Sequence, residues 1–214
     1  AEVRLSGLGS ALRVVARGGD LGPVTLRVPG RHNAVNATGA FAAGLELGLP
    51  AAGLRAGLAR FGGVRRRFER KGAVGGIRVV DDYAHHPTEV ATVLRTARPV
   101  ADGGRLIAAF QPHRYSRTAA FAGALGEALG LADAVVVMDV YGAGEDPLPG
   151  VSGASVARAV PLPPDRVVFE PSWSAVAGRL AELARPGDLV LTLGAGDVTL
   201  LGPELLRVLA ERAG

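Results

Sequence analysis

With 214 residues and 48% apolar content, the chain has material for one good core or one and a half, which excludes a disordered segment. Its formal charge of +4 is spread along its length, and the only basic run, Arg65-Arg66-Arg67, leads into Phe68-Glu69, so no nucleic-acid groove is indicated and small anions are the partners to expect. No apolar run approaches the roughly 18 residues of a membrane span, and the absence of cysteine removes disulfides and thiolate zinc sites, so a soluble, cytoplasmic protein is the expectation.

The opening Ala1-Glu2-Val3-Arg4-Leu5 alternates like a strand entered midway and carries no initiator Met, which suggests a piece of a longer protein. Residues 1–28 read as short antiparallel strands, with 11–15 and 24–28 flanking the turn signal Gly18-Gly19-Asp20-Leu21-Gly22. Helices are expected over 34–47 and 51–61, separated by Gly48-Leu49-Pro50 and stopped by Gly62-Gly63. From Val64 the pattern changes to alternation. Apolar strands at 76–80, 105–110, 134–139, 166–169 and 188–193 are separated by helical stretches near 88–98, 118–130, 153–159, 173–184 and 201–212. Such alternation predicts an α/β fold with a parallel sheet covered on both faces.

In such a sheet, ligands bind outside the carboxyl ends of the strands. The polar chemistry of this sequence gathers there. The first strand exits into Asp81-Asp82-Tyr83-Ala84-His85-His86 and the second into Gln111-Pro112-His113-Arg114-Tyr115-Ser116-Arg117. The third exits into Tyr141-Gly142-Ala143-Gly144-Glu145-Asp146, and the last into Gly194-Ala195-Gly196-Asp197. Pro87 and Glu89 then suit the first turn of the helix that follows the first exit.

Each constellation has a functional and a plain reading. Arg114 and Arg117 are guanidinium forks for a carboxylate or phosphate, or else the solvated start of a helix. Adjacent histidines point in different directions, so His85 and His86 do not read as a metal pair; holding an anionic substrate or moving a proton suits an imidazole here better. Asp82 can accept from a ribose diol, or anchor the next helix. Asn33 and Asn36 share a helical face and can read a purine edge, although asparagine at a helix start also serves as a cap. Gly194-Ala195-Gly196 is half of a dinucleotide fingerprint, with Thr199 in place of its third glycine; a tight strand-to-helix turn explains it equally.

Taken in order, "GRHNAVNA", "FGGVRRRFE", "VVDDYAHHPTEV", "QPHRYSRT", "DVYGAGE" and "LTLGAGD" resemble the Mur ligase family of bacterial peptidoglycan synthesis over nearly the whole chain. The resemblance is to the branch that joins L-alanine to UDP-N-acetylmuramate. It implies an ATP-dependent ligase in which MgATP phosphorylates the muramoyl carboxylate and the alanine amine displaces phosphate. Residues 1–63 then correspond to the end of the central ATP-binding domain, and 64–214 to a Rossmann-like C-terminal domain that binds the amino acid. ATP would meet His32, Asn33, Asn36, Arg67 and Asp82. The amino acid and acyl phosphate would meet Tyr83, His85, Arg114 and Arg117, and catalysis would rest on Arg67, His85, Arg114 and Arg117. Glu145 and Asp197 have a motif without a role.

The sequence departs from the family in having no G-x-x-G-K-[ST] loop, so Mg²⁺ and the phosphates would be held mainly elsewhere, and the chain alone is expected not to turn over. Two other readings compete. The ligase that recycles murein tripeptide has a similar Asp-x-Ala-His-His-Pro loop, and a non-catalytic nucleotide-binding Rossmann module belongs to a different class altogether. No oligomeric state is legible.

Overall fold

The computed structural model describes residues 3–6, 9–16 and 19–213. The chain divides into two compact units, Ala1–Val64 and Arg65–Gly214.

In the first unit, strands β1 (Val3–Ser6), β2 (Gly9–Ala16) and β3 (Gly19–Leu26) form an antiparallel sheet in that order. Alternation along β2 and β3 buries Leu12, Val14, Val24 and Leu26 against Ala34, Ala37 and Phe41 of helix α1 (Arg31–Glu46). Helix α2 (Ala51–Arg60) approaches α1 at Gly44, where a Cβ would lie 2.4 Å from a methyl of Leu54. Helix α1 starts three residues before the predicted Ala34. The Gly30 carbonyl already accepts from Asn33 and Ala34 N–H, and Gly30 itself has φ 102°, which favours glycine. Of the predicted turn, residues 19–22 lie within β3, paired from Ala16↔Gly19 onward. Gly18, Ala1 and Glu2 lie outside the described residues.

The second unit is α/β, as the alternation predicts. Its sheet has the order β4-β5-β9-β6-β7-β8, and every pairing is parallel except that of β4 with β5. The strands are β4 (Glu69–Val74), β5 (Ile77–Asp82), β6 (Leu106–Phe110), β7 (Ala134–Val137), β8 (Val167–Phe169) and β9 (Leu189–Leu193). Helices α3 (Pro87–Ala101), α4 (Tyr115–Leu129) and α5 (Gly153–Ala157) cover one face, and α6 (Trp173–Leu183) and α7 (Leu201–Ala213) the other.

Strand periodicity divides the two cores. Leu106, Ala108, Phe110, Leu189, Leu191 and Leu193 point to the first face, whereas Ile107, Ala109 and Val190 point to the second. A strand buried on both faces reads as a continuous apolar run, which is why these central strands are legible in sequence.

Two differences matter for function. Strand β4 is not predicted, because Glu-Arg-Lys-Gly-Ala-Val has neither alternation nor an apolar run. It forms through a two-residue hairpin at Gly75-Gly76, both with positive φ (57° and 78°), as a primed turn requires. Strand β5 also runs two residues beyond the predicted 80, so that Asp81 and Asp82 pair with Thr192 and Leu193 of β9 instead of leaving the sheet. Among the described residues no helix is long and apolar enough to cross a membrane.

Candidate functional site at the carboxyl ends of β5, β6 and β9

Asp81 is fully buried, and both of its oxygens are used. Oδ1 accepts from Thr192 Oγ1 at 2.6 Å and Oδ2 from Thr199 Oγ1 at 2.8 Å, with Arg66 Nε 3.6 Å and Lys71 Nζ 3.9 Å from Oδ2. Lys71, the only lysine in the sequence, is the extra residue where the β4–β5 register shifts between Arg70 and Gly72, and it also bonds Glu69 at 2.9 Å. That hydrogen bond is the main reason the Glu69 carboxyl stays below its ordinary value.

Asp82 faces the other way and is 4% exposed. Its Oδ2 accepts from Phe68 N–H at 2.8 Å and its Oδ1 from Ala84 N–H at 2.9 Å. Burial raises its carboxyl above the ordinary value, against the pull of these two donors. In this geometry Asp82 stitches segment 66–68 to the exit of β5, with one donor on each of its oxygens.

Past Asp82 the chain places Tyr83, His85 and His86 at the start of α3. His86 is the N-cap, its Nδ1 accepting from Thr88 N–H, and Glu89 Oε2 accepts from the N–H of His85 and His86. Burial pushes the Glu89 carboxyl up, but these backbone donors outweigh it and hold the group below its ordinary value. His86 is thereby a helix cap with its ring edge-on to Phe121. His85 Nδ1 lies 2.9 Å from the Tyr83 carbonyl, which can only accept, so Nδ1 carries a proton and Nε2 is the nitrogen left for a ligand.

From Tyr83 a row of rings crosses to the next strands. The Tyr83 and His85 centroids are 5.2 Å apart, His85 and His113 5.8 Å, and His113 and Tyr141 5.7 Å with stacked planes. An isolated parallel bridge between His113 and Tyr141 sets the last pair. Arg117 Nη1 is 3.3 Å from His113 Nδ1; a guanidinium only donates, so this contact requires the neutral imidazole. Burial first, then the charges of His85, Arg117 and Arg114, depress the His113 imidazole below its ordinary 6.5.

A test follows from the sign of that shift. The ring of His113 should titrate below 6.5, so its contribution to folding stability is intact above that pH and is lost as the pH falls toward the folded value. Proton NMR of the four histidines measures it directly, and a His113 midpoint at or above 6.5 contradicts the reading.

Helix α4 begins at Tyr115, not at the predicted 118, with Arg114 as N-cap at φ 71°. Arg114 and Arg117 thus sit on one helix start, with Arg114 exposed and Arg117 half-buried. The start is capped from a distance. Glu145 Oε2 accepts from Ser116 N–H and Oε1 from Ser116 Oγ, which is the main cause of its lowered carboxyl. Asp197 Oδ1 accepts from Gln111 Nε2 at 2.7 Å, while Gln111 Oε1 accepts from Val198 N–H. These contacts supply the roles that sequence left blank for Glu145 and Asp197.

The glycine turn after β9 is tight for packing reasons. A Cβ at Gly196 would lie 2.5 Å from Gln111 Oε1, and one at Gly194 2.8 Å from Gln111 O. Its carbonyls converge on one cation: Arg66 Nη2 donates to Gly194 O at 2.7 Å and Gly196 O at 3.0 Å, and Nη1 to Ala195 O at 3.4 Å. A turn that presents carbonyls to a guanidinium is no cradle for a pyrophosphate, which needs N–H groups.

Arg67 is exposed, with its guanidinium 5.4 Å from the Tyr83 ring centroid; that of Arg66 is at 4.8 Å. Of the predicted residues, Arg67, Tyr83, His85 and Arg117 therefore fall along one connected row, through His113, with Arg114 beside it. His32, Asn33 and Asn36 belong to the first unit, on the opening turns of α1. His32 and Asn36 are exposed, and Asn33 Nδ2 donates back to Pro29 O at 2.7 Å. Sequence reasoning left Arg66, His113 and Tyr141 out of the site; the one local signal for His113 is its position three residues after an apolar strand. Among the described residues there is no group of three or more His, Asp or Glu that could hold a metal ion.

A family model described as Mur ligase, glutamate ligase domain, matches residues 66–196. The UDP-N-acetylmuramate–L-alanine ligase of Saccharopolyspora erythraea is 60% identical over 206 residues, which is 96% of this chain and 42% of that protein. The chain spans less than half the length of such curated relatives. Among solved structures, a UDP-N-acetylmuramate–alanine ligase from Thermotoga maritima aligns with TM-score 0.79 and 27% identity, covering 99% of this chain and 45% of that one. A murein peptide ligase from Psychrobacter arcticus aligns with TM-score 0.62 and 26% identity, over 97% of this chain and 44% of that one.

Proposed function

The chain belongs to the Mur ligase family, and from that premise we propose that it is the amino-acid-binding part of an ATP-dependent ligase that joins L-alanine to UDP-N-acetylmuramate in peptidoglycan precursor synthesis. The observation that carries this reading is the row from Tyr83 through His85 and His113 to Arg117, in which aromatic surface, imidazoles and a guanidinium fork adjoin one another. The guanidinium groups take the alanine carboxylate and the charge that grows as the amine attacks the acyl phosphate, and His85 faces the amine. Arg67, exposed beside Tyr83, reaches the phosphates. On the first unit, Asn36 and the Asn33 carbonyl oxygen offer the adenine edge a donor and acceptors next to His32.

Charge stabilisation and alignment supply the catalysis in this scheme. The chain alone, having no glycine-rich lysine loop for the phosphates, is expected not to turn over.

The closest competitor within the family takes the murein tripeptide in place of alanine. The relatives at 59–60% identity favour alanine. Phosphate release by the complete ligase with each acceptor separates them: the expected result is release with L-alanine, and release with tripeptide alone refutes the assignment. Tight NAD binding, which the carbonyl-lined glycine turn argues against, would favour a nucleotide-sensing module instead.

A further inference from the structure

We propose that Arg66 is a positioning residue for the amino-acid end of the site, fastening the glycine turn after β9 to the exit of β5 and so setting the ring of Tyr83 and, through it, His85. The inference rests on the ligase reading above.

Arg66 draws three segments together. Its side chain donates to three successive carbonyls of the turn at 194–196. Its own carbonyl accepts from Tyr83 N–H at 2.8 Å, and its N–H donates to Glu69 Oε2 at 2.8 Å. The guanidinium then sits 4.8 Å from the Tyr83 centroid, with Nε 3.6 Å from buried Asp81. To make these contacts the backbone adopts φ 59° at Arg66 and 50° at Phe68, a region that side-chain-bearing residues seldom occupy. The strained backbone is held by Asp82 at Phe68 N–H, so the buried acids at the end of β5 serve the same fastening.

The consequence for Tyr83 is geometric. Its N–H is fixed by the Arg66 carbonyl, its ring by the Arg66 cation, and its carbonyl accepts from His85 Nδ1–H. His85 therefore inherits its orientation from a residue that need not touch substrate. Lysine could not substitute, because one ammonium on a flexible stem cannot span three carbonyls and a ring face together.

The test uses the complete ligase with Arg66→Ala and Arg66→Lys, measuring kcat and the KM for L-alanine, ATP and UDP-N-acetylmuramate. Expected is a rise of about fivefold or more in the alanine KM, with that for UDP-N-acetylmuramate unchanged. Millimolar guanidinium should restore the alanine variant saturably, while urea, of the same shape but uncharged, should not. A lower kcat with all KM values at wild type would mark Arg66 as merely structural and overturn the proposal, as would no change at all. If Arg66→Ala does not fold, the alanine KM of Arg66→Lys decides by the same criterion. Wild-type protein that releases no phosphate with alanine overturns the ligase reading itself, and this inference with it.

Discussion

Replacing Asp81 by alanine is expected to destabilise the second unit by about 3–5 kcal/mol, the cost of breaking a buried charge cluster from one side. The carboxylate is fully buried and satisfies two hydroxyls, Thr192 and Thr199. It is also the anion nearest Arg66 Nε, a buried nitrogen without a hydrogen-bond partner among the described residues, and lies 3.9 Å from Lys71 Nζ. Alanine would remove the nearest anion from Arg66 Nε and leave two hydroxyls unpaired, whereas Asp81→Asn keeps the shape and one acceptor and should lose less. The measurement is convenient because the only tryptophan, Trp173, lies on α6 in this unit, so its fluorescence follows unfolding in urea. A loss under about 1 kcal/mol for Asp81→Ala would show that water or rearrangement compensates the cluster, and would sink the account.

What could be read in the sequence, and what could not, divides along the range of the interactions. Strands β6, β7 and β9 are buried on both faces, so their apolar runs announce them. Strand β4 owes its existence to a glycine hairpin and to pairing with β5, neither of which leaves an apolar pattern in Glu69–Val74. Asp81 and Asp82 look like loop residues because a strand rarely ends on two buried carboxylates; what keeps them in the sheet is Thr192 and Thr199 on one side and Phe68 N–H on the other. The start of α4 is misplaced by sequence because its cap, Glu145, stands 29 residues from the Ser116 that it bonds. For the site, the strand exits bring the acids, imidazoles and guanidinium groups to one edge of the sheet, since that is a property of topology. The finer division of labour depends on side-chain direction, which no local pattern records: His86 is a cap, Asp82 an anchor, Arg66 a fastener.

Arg117→Ala should raise the alanine KM or lower kcat by a combined 2–4 kcal/mol or so in the complete ligase, roughly 30- to 1000-fold in kcat/KM. The two arginines of the pair are not equivalent. Arg114 is exposed at a left-handed N-cap, and its backbone is held by Tyr141 O at 2.8 Å, whereas Arg117 is half-buried and steadied by neutral His113. A fork that is already oriented loses less freedom when a carboxylate arrives, so more of its interaction survives as affinity. Arg117→Ala should therefore cost more than Arg114→Ala. Arg117→Lys should recover little, because an ammonium cannot grip a carboxylate with two parallel bonds while leaning on His113. The same reasoning links this result to pH: protonating His113 removes the acceptor that steadies Arg117, so the penalty for Arg117→Ala should shrink as the solution is acidified below 6.5. Wild-type kinetics in Arg117→Ala would remove this residue from the site, and a penalty that grows in acid would show that His113 does not act through it.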